Sequence, residues 1–287
     1  EQFPLDIKKE SEPKILFHDL FTNKIAYIQI GFDALSIPLE KIPYLSLVGK
    51  LVLGMGTRRH SYTEISQLLG IHTGGIRSWH FTSASVNDYK NILSHIFFSG
   101  KALMGKLDHL FDIWEELIQE HDFNNPKRLI EIIKSTKADM EDSILSSGNY
   151  YVLSRLQSYQ SPLGQYNELS GGVSYYNFLN KLLIRAEKNP SEVAEEFRSI
   201  TQSLFTKENL LMSITAPENN YKKIEKRALT LTQKLSNKKR PSVAFQLNTT
   251  PANEAFLTAS SVQFVGKGAN LFELGMEYSG KFDVLNS

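Results

Sequence analysis

PYLSLVGKLVLGMGT (residues 43–57), SYTEISQLLG (61–70) and HTGGIRSWHFTSAS (72–85) follow one another almost without interruption. The first predicts a buried helix. Pro43 suits an opening turn, where its missing N–H is not needed; Leu47, Leu51 and Val52 recur at helical spacing, and Gly54 and Gly56 stop the run. The second predicts a short helix, because Ser61 followed three residues later by Glu64 is a capping box, with Gly70 closing the helix after Leu69. Beyond Gly74 and Gly75 the pattern changes to period two, the mark of a strand.

Residues 76–85 and 91–99 predict an antiparallel pair joined across Asn87 and Asp88. With that turn as centre, His80 falls opposite His95. Trp79 and Phe81 then join Ile92, Ile96 and Phe98 in the core, leaving Ser78, His80, Thr82 and His95 on the other face. Upstream, ILFHDLF and IAYIQIGFD predict a hairpin through Thr22, Asn23 and Lys24. Ile28, Ile30 and Phe32 share its core face and Tyr27 and Gln29 the outer one. If these strands are neighbours, Tyr27, Gln29, Ser78, His80, Thr82 and His95 form one semi-polar face.

Downstream the signal is helical. Leu103, Leu107, Leu110, Phe111, Trp114, Leu117 and Ile118 recur in steps of three and four, with acids opposite. Helices are expected over 126–146, 150–159, 174–187 and 191–205, with SPLGQYNELSGG as a loop between. NLLMSIT (209–215) predicts a strand and 218–236 a helix. NKKRPS predicts a solvated connection ending near Pro241, and AFLTASSVQFVGKGANL the opening of a new strand pattern. The expected organisation is a linker over 1–13, one domain over 14–240, a connection over 241–252 and the start of a second, truncated domain over 253–287. That last piece is too short to bury its own core.

The 287 residues are 41% hydrophobic and 22% charged, a globular balance with room for a sizeable core. A net charge of +1 offers no electrostatic argument for nucleic acid or an anionic membrane. No cysteine is present, which removes disulfides, thiolate metal sites and cysteine nucleophiles, and accords with a cytoplasmic or organellar-matrix setting rather than secretion. No apolar run approaches the roughly 20 residues that cross a bilayer. The opening EQFPLDIKKESEPK is charged where a signal peptide is apolar, and the absence of a leading Met suggests an excised piece.

Motifs of catalysis are weak throughout. His80 and His95 as a cross-strand pair lack a third metal ligand. His109, Asp112 and Glu116 share a helical face that the apolar stripe marks as solvated. Gly49-Lys50, Gly100-Lys101 and Gly266-Lys267 lack the spacing of a phosphate loop, and no serine sits in a Gly-x-Ser-x-Gly elbow. The tyrosines between Tyr150 and Tyr176 suit packing between helices.

Six stretches in register carry a family resemblance: HDLFTN (18–23), GFD (31–33), PYLSLVGKLVLGMGT (43–57), LGIHTGGI (69–76), GGVSYYNFL (171–179) and VQFVGKGANL (262–271). Together they resemble the presequence-protease branch of the pitrilysin and insulinase superfamily of zinc metallopeptidases. The resemblance implies an α/β (α+β) fold, an antiparallel or mixed sheet with helices on one face. It implies a clamshell of two halves closed around a chamber holding unfolded peptide, with zinc only in the N-terminal half.

This chain resembles the first domain of the other half. Active domains of the family carry His-x-x-Glu-His on the helix that here reads LSLVGKLVLGMGT. Lys50 is the only charged residue of that stretch, and neither His-x-x-Glu-His nor His-Glu-x-x-His occurs anywhere in the chain. The strand after the glycines departs as well: active domains resemble Asn-Ala-x-Thr there, against Trp79, His80, Phe81 and Thr82. The Arg and Tyr of the family's last domain would lie beyond Ser287. The expectation is a segment without catalytic or metal residues or cofactor of its own, in a parent that holds zinc. Its partners would be the zinc-bearing half and unfolded peptides, with neither nucleic acid nor membrane. Tyr27, Gln29, Ser78, His80, Thr82 and His95 would line the chamber. An inert scaffold subunit of the same superfamily is the alternative.

Overall fold

The structure is a computed structural model that describes residues 5–9, 13–86, 88–237, 250–259 and 261–276. Six strands form one open sheet: β1 (Asp6–Lys9), β2 (Lys14–Asp19), β3 (Ile25–Asp33), β4 (Ile76–Ala84), β5 (Ile92–Leu103) and β6 (Leu210–Ala216). Their spatial order is β1-β2-β6-β3-β5-β4. Among these strands only the β2–β6 pair is parallel, so the sheet is mixed.

Two expectations fail here for one reason. The segment 14–33 does not fold as a hairpin, because β6, nearly 180 residues later in the chain, inserts between β2 and β3. Phe17 and Ile28 each pair with Ile214 from opposite sides, so β6 is the more apolar neighbour for both strands. Asp6–Lys9, expected in a linker, forms an edge strand on β2. Local spacing identifies strands but not a partner that arrives from across the chain.

Nine α-helices are described: α1 (Ile42–Gly54), α2 (Tyr62–His72), α3 (Leu107–Glu120), α4 (Pro126–Ser146), α5 (Gly148–Ser158), α6 (Pro162–Gly171), α7 (Val173–Lys188), α8 (Pro190–Leu204) and α9 (Glu218–Gln233). The Ser61 and Glu64 capping box is present at α2, which passes through Gly70 and ends at His72. Gly56, at φ 93°, makes the turn after α1, and Gly75, at φ 94°, leads into β4. SPLGQYNELSGG, expected as a loop, is helix α6: Ser161 accepts from the Gly164 N–H and Pro162 takes the first turn. Leu103 closes β5 and does not open α3, whose stripe of Leu107, Leu110, Phe111, Trp114 and Leu117 is buried.

The helices meet the sheet on one face. Gly49 of α1 approaches Ser78, Leu110 and Trp114 of α3 approach Gly100, Tyr166 of α6 bonds Ser94, and Tyr221 of α9 packs on Phe17. Ile28, Ile30, Phe32, Ile96, Phe98, Met212 and Ile214 point into this core and are 0–1% exposed. α1 is enclosed on most sides: Ser46 donates to the Ser170 carbonyl, Ile132 of α4 reaches Gly54, and the Tyr44 and Phe197 rings meet at 5.2 Å.

Residues 250–259 and 261–276 contain no strand, contrary to the expected pattern over AFLTASSVQFVGKGANL. They run as irregular chain beside α5: Glu254 pairs with Arg155, Phe264 lies against Gly148, and Asn270 donates to the Gln160 carbonyl. An extended segment becomes a strand only beside a ladder partner, and none is present among the described residues. The expected boundary near Pro241, and Asn87 of the expected turn, lie outside the described residues.

Candidate functional site

The candidate site is the sheet face away from the helices. Its residues follow from register. Ala84 pairs with Ile92 and Ser85 N–H donates to Asn91 O, so the β4–β5 turn is centred on Asp88 and not between residues 87 and 88. Half a residue at the turn is one residue in the ladder, and a one-residue slip exchanges the two faces of a strand. Phe81, not His80, therefore stands opposite His95.

The expected set divides accordingly. Tyr27, Gln29 and His95 lie on the open face, as read. Ser78, His80 and Thr82 lie on the helix side, where they pair with Phe98, Ile96 and Ser94. His80 Nε2 is 2.8 Å from Ser94 Oγ, which in turn is 2.8 Å from the Tyr166 hydroxyl, and Thr82 donates to Asn167 Oδ1 at 2.7 Å. These groups hold α6 to the sheet. Burial, with a smaller contribution from His95, lowers the His80 pKa to about 4, and burial raises that of Tyr166, so both are neutral at pH 7.

In place of those three, the register brings Trp79 and Phe81 onto the open face beside Phe97 and Asp33. The Phe97 ring lies over Gly31, occupying the space a side chain there would take. Trp79 and His95 flank it as near-parallel rings, 5.4 and 5.7 Å away centre to centre. Phe81 meets it edge-on at 6.2 Å. Tyr27 and Phe81 remain 42% and 41% exposed, which leaves an aromatic surface open to a ligand. Gly31 inside an otherwise β-branched and aromatic strand is the sequence signal for such a close approach. His95 titrates below the usual range because burial outweighs the attraction of Asp33.

A zinc of the kind implied by the resemblance does not fit α1. Val48, Leu51 and Val52 are 0% exposed and apolar, and Gly49 packs against Ser78, so no ligating group is positioned there. Among the described residues no group of three or more His, Asp and Glu could hold a metal ion. His109 stacks on His72 at 4.0 Å, and Asp112 pairs with Arg227. Glu116, expected on a solvated face, is instead buried with Thr57 and His60 as partners and ties the α1–α2 connection to α3.

Residues 2–182 match the model of the family described as associated with peptidases of group M16, subgroup C, and the chain belongs to that family. It is similar to Protein HypA of Clostridium perfringens, 29% identical over 286 residues, covering 100% of this chain and 29% of that protein. It is also 29% identical over 284 residues to Presequence protease 1, chloroplastic/mitochondrial, of Arabidopsis thaliana, covering 99% of this chain and 26% of the relative. The chain thus spans less than a third of these relatives. A solved peptidase M16 inactive domain from Pseudomonas fluorescens superposes with a TM-score of 0.56 at 12% identity, covering 88% of this chain and 53% of that one. A conserved protein from Enterococcus faecalis does so at 0.56 and 15%, with 84% and 54% covered. These two likenesses are of fold: the mixed sheet with one helical layer.

Proposed function

We propose that this chain is a non-catalytic, chamber-forming domain of a larger zinc metalloendopeptidase that degrades short unfolded peptides. Its open sheet face would be one wall of the chamber. The observation that carries the reading is the contrast between the two faces of one sheet. One is sealed by helices; the other presents Tyr27, Gln29, Trp79, Phe81, His95 and Phe97 to whatever lies opposite. Zinc, hydrolysis and the general base would belong to the N-terminal half of the same polypeptide. A wall that admits a chain only when it is extended would supply specificity by size.

The test is peptidase assay of the full-length protein on an unstructured peptide and on a folded protein of the same composition. Zinc-dependent cleavage of the peptide alone is expected. If the full-length protein, loaded with zinc, cleaves neither, the peptidase reading fails and the inert scaffold subunit takes its place.

A further inference from the structure

The ring cluster on the open face has a shape and a charge of its own. Phe97 is laid down on Gly31, and Trp79 and His95 lie within 22° of its plane, so three rings form a shallow platform. Phe81 stands edge-on at its side. Aromatic faces offered together to solvent suit another ring, which can stack on one and meet the edge of the next. Around the platform on the same face are Arg77, whose guanidinium lies 5.6 Å from the Trp79 ring centre, with Lys101 and Lys14. Asp33 is the only acid among the described strand residues of this face. No ion pair is formed by any of the three cations among the described residues.

We infer that the platform of Trp79, Phe97 and His95 is a binding subsite for an aromatic side chain of an extended peptide whose neighbouring residues are acidic. The inference rests on the reading of the open face as a peptide-facing wall, and it adds a preference to it. The rings select the side chain, and the three cations select the sign of its neighbours. A peptide of small, basic residues meets neither feature.

The chain has two tryptophans, Trp79 on the platform and Trp114 in the core at 1% exposure, which makes the indole N–H signals a direct reporter. The 287-residue chain would be titrated with an unstructured Gly-Ser peptide carrying one Phe flanked by Glu, with its Phe-to-Ala counterpart, and with one whose Glu are replaced by Lys. The expected result is a shift of the Trp79 indole signal with Trp114 still. Affinity should fall about tenfold for each altered peptide and for Trp79→Ala or Phe81→Ala. Equal binding of all three peptides, unchanged in both variants, would overturn the platform while leaving a peptide-binding wall. No binding of any peptide would overturn both. Tighter binding of the Lys peptide would overturn the charge preference. A self-association that Trp79→Ala abolishes would make the occupant a second copy and overturn the assignment. Should either variant fail to fold, the unaltered chain still decides through its two indole signals.

Discussion

Phe81 of β4 lies across from His95 of β5, and His80, one position earlier, pairs with Ile96 on the opposite face of the sheet. This single register relation decides what the open face is made of. It removes an imidazole pair from it, sends His80 into the helix layer, and leaves an aromatic surface where a polar one is expected from the turn residues alone.

His80 should make stability depend on pH. Its pKa in the fold is about 4 because burial opposes the charged ring and His95 is close, whereas the unfolded ring titrates near 6.5. Between those values the unfolded chain binds a proton that the folded chain refuses, so stability falls as pH falls from about 6.5 to about 4. The span corresponds to a loss on the order of 3 kcal/mol. His95 and His121 are lowered in the same sense, so the comparison must be with His80→Gln, whose amide can still reach Ser94. Urea melts from pH 7 to pH 4 should show a shallower decline in the variant.

Arg155 and Glu254 should not be equivalent partners. Arg155 joins Glu168, which is 2% exposed, to Glu254 on the segment beside α5. Arg155→Ala leaves a buried carboxylate without its cation and should cost about 3 kcal/mol. Glu254→Ala removes a partly exposed partner and should cost about 1 kcal/mol or less, while making residues 250–276 more readily cut by protease. Thermal melts and limited proteolysis of both variants check this.

Gly172→Ala should destabilise the α6–α7 joint. Glu168 accepts from the Ser174 N–H at 2.9 Å at the start of α7, and its carboxylate occupies the space that a side chain at 172 would need. The added methyl must push the carboxylate off the helix end, at a cost of about 2 kcal/mol. Ser174→Ala, which keeps that N–H, should be milder, and denaturant midpoints compare the two.

A metal motif built into α1 should fail. Val48→His, Leu51→Glu and Val52→His together recreate His-x-x-Glu-His at positions that are 0% exposed. Burying these groups should cost more than about 4 kcal/mol. Loss of the cooperative melt, with no zinc retained after dialysis, is expected; a folded variant with stoichiometric zinc would refute the packing role given to α1.

Much of this was readable in the residues. Leu47, Leu51 and Val52 mark α1 as buried, Ser61 and Glu64 place the start of α2, and Leu107 to Ile118 mark the face of α3, because these signals are local. What escaped is non-local or cancels locally. β6 separates β2 from β3 through a partner far along the chain. α6 hides behind Pro162, Gly164 and Gly171, although Ser161 before Pro162 is a helix start. The open face was half legible: Tyr27, Gln29 and His95 follow from alternation, but Trp79 and Phe81 depend on where one turn is centred.

The most direct test places a photo-crosslinking amino acid at Phe81 on the open face, or at Glu131 on the exposed side of α4, in the full-length protein, and irradiates each with a bound unstructured peptide. A peptide adduct at position 81 and none at 131 is the expected result. Adducts at 131 alone, or at neither position while the peptide is being cleaved, would contradict the assignment of the open sheet face as a wall of the peptide chamber.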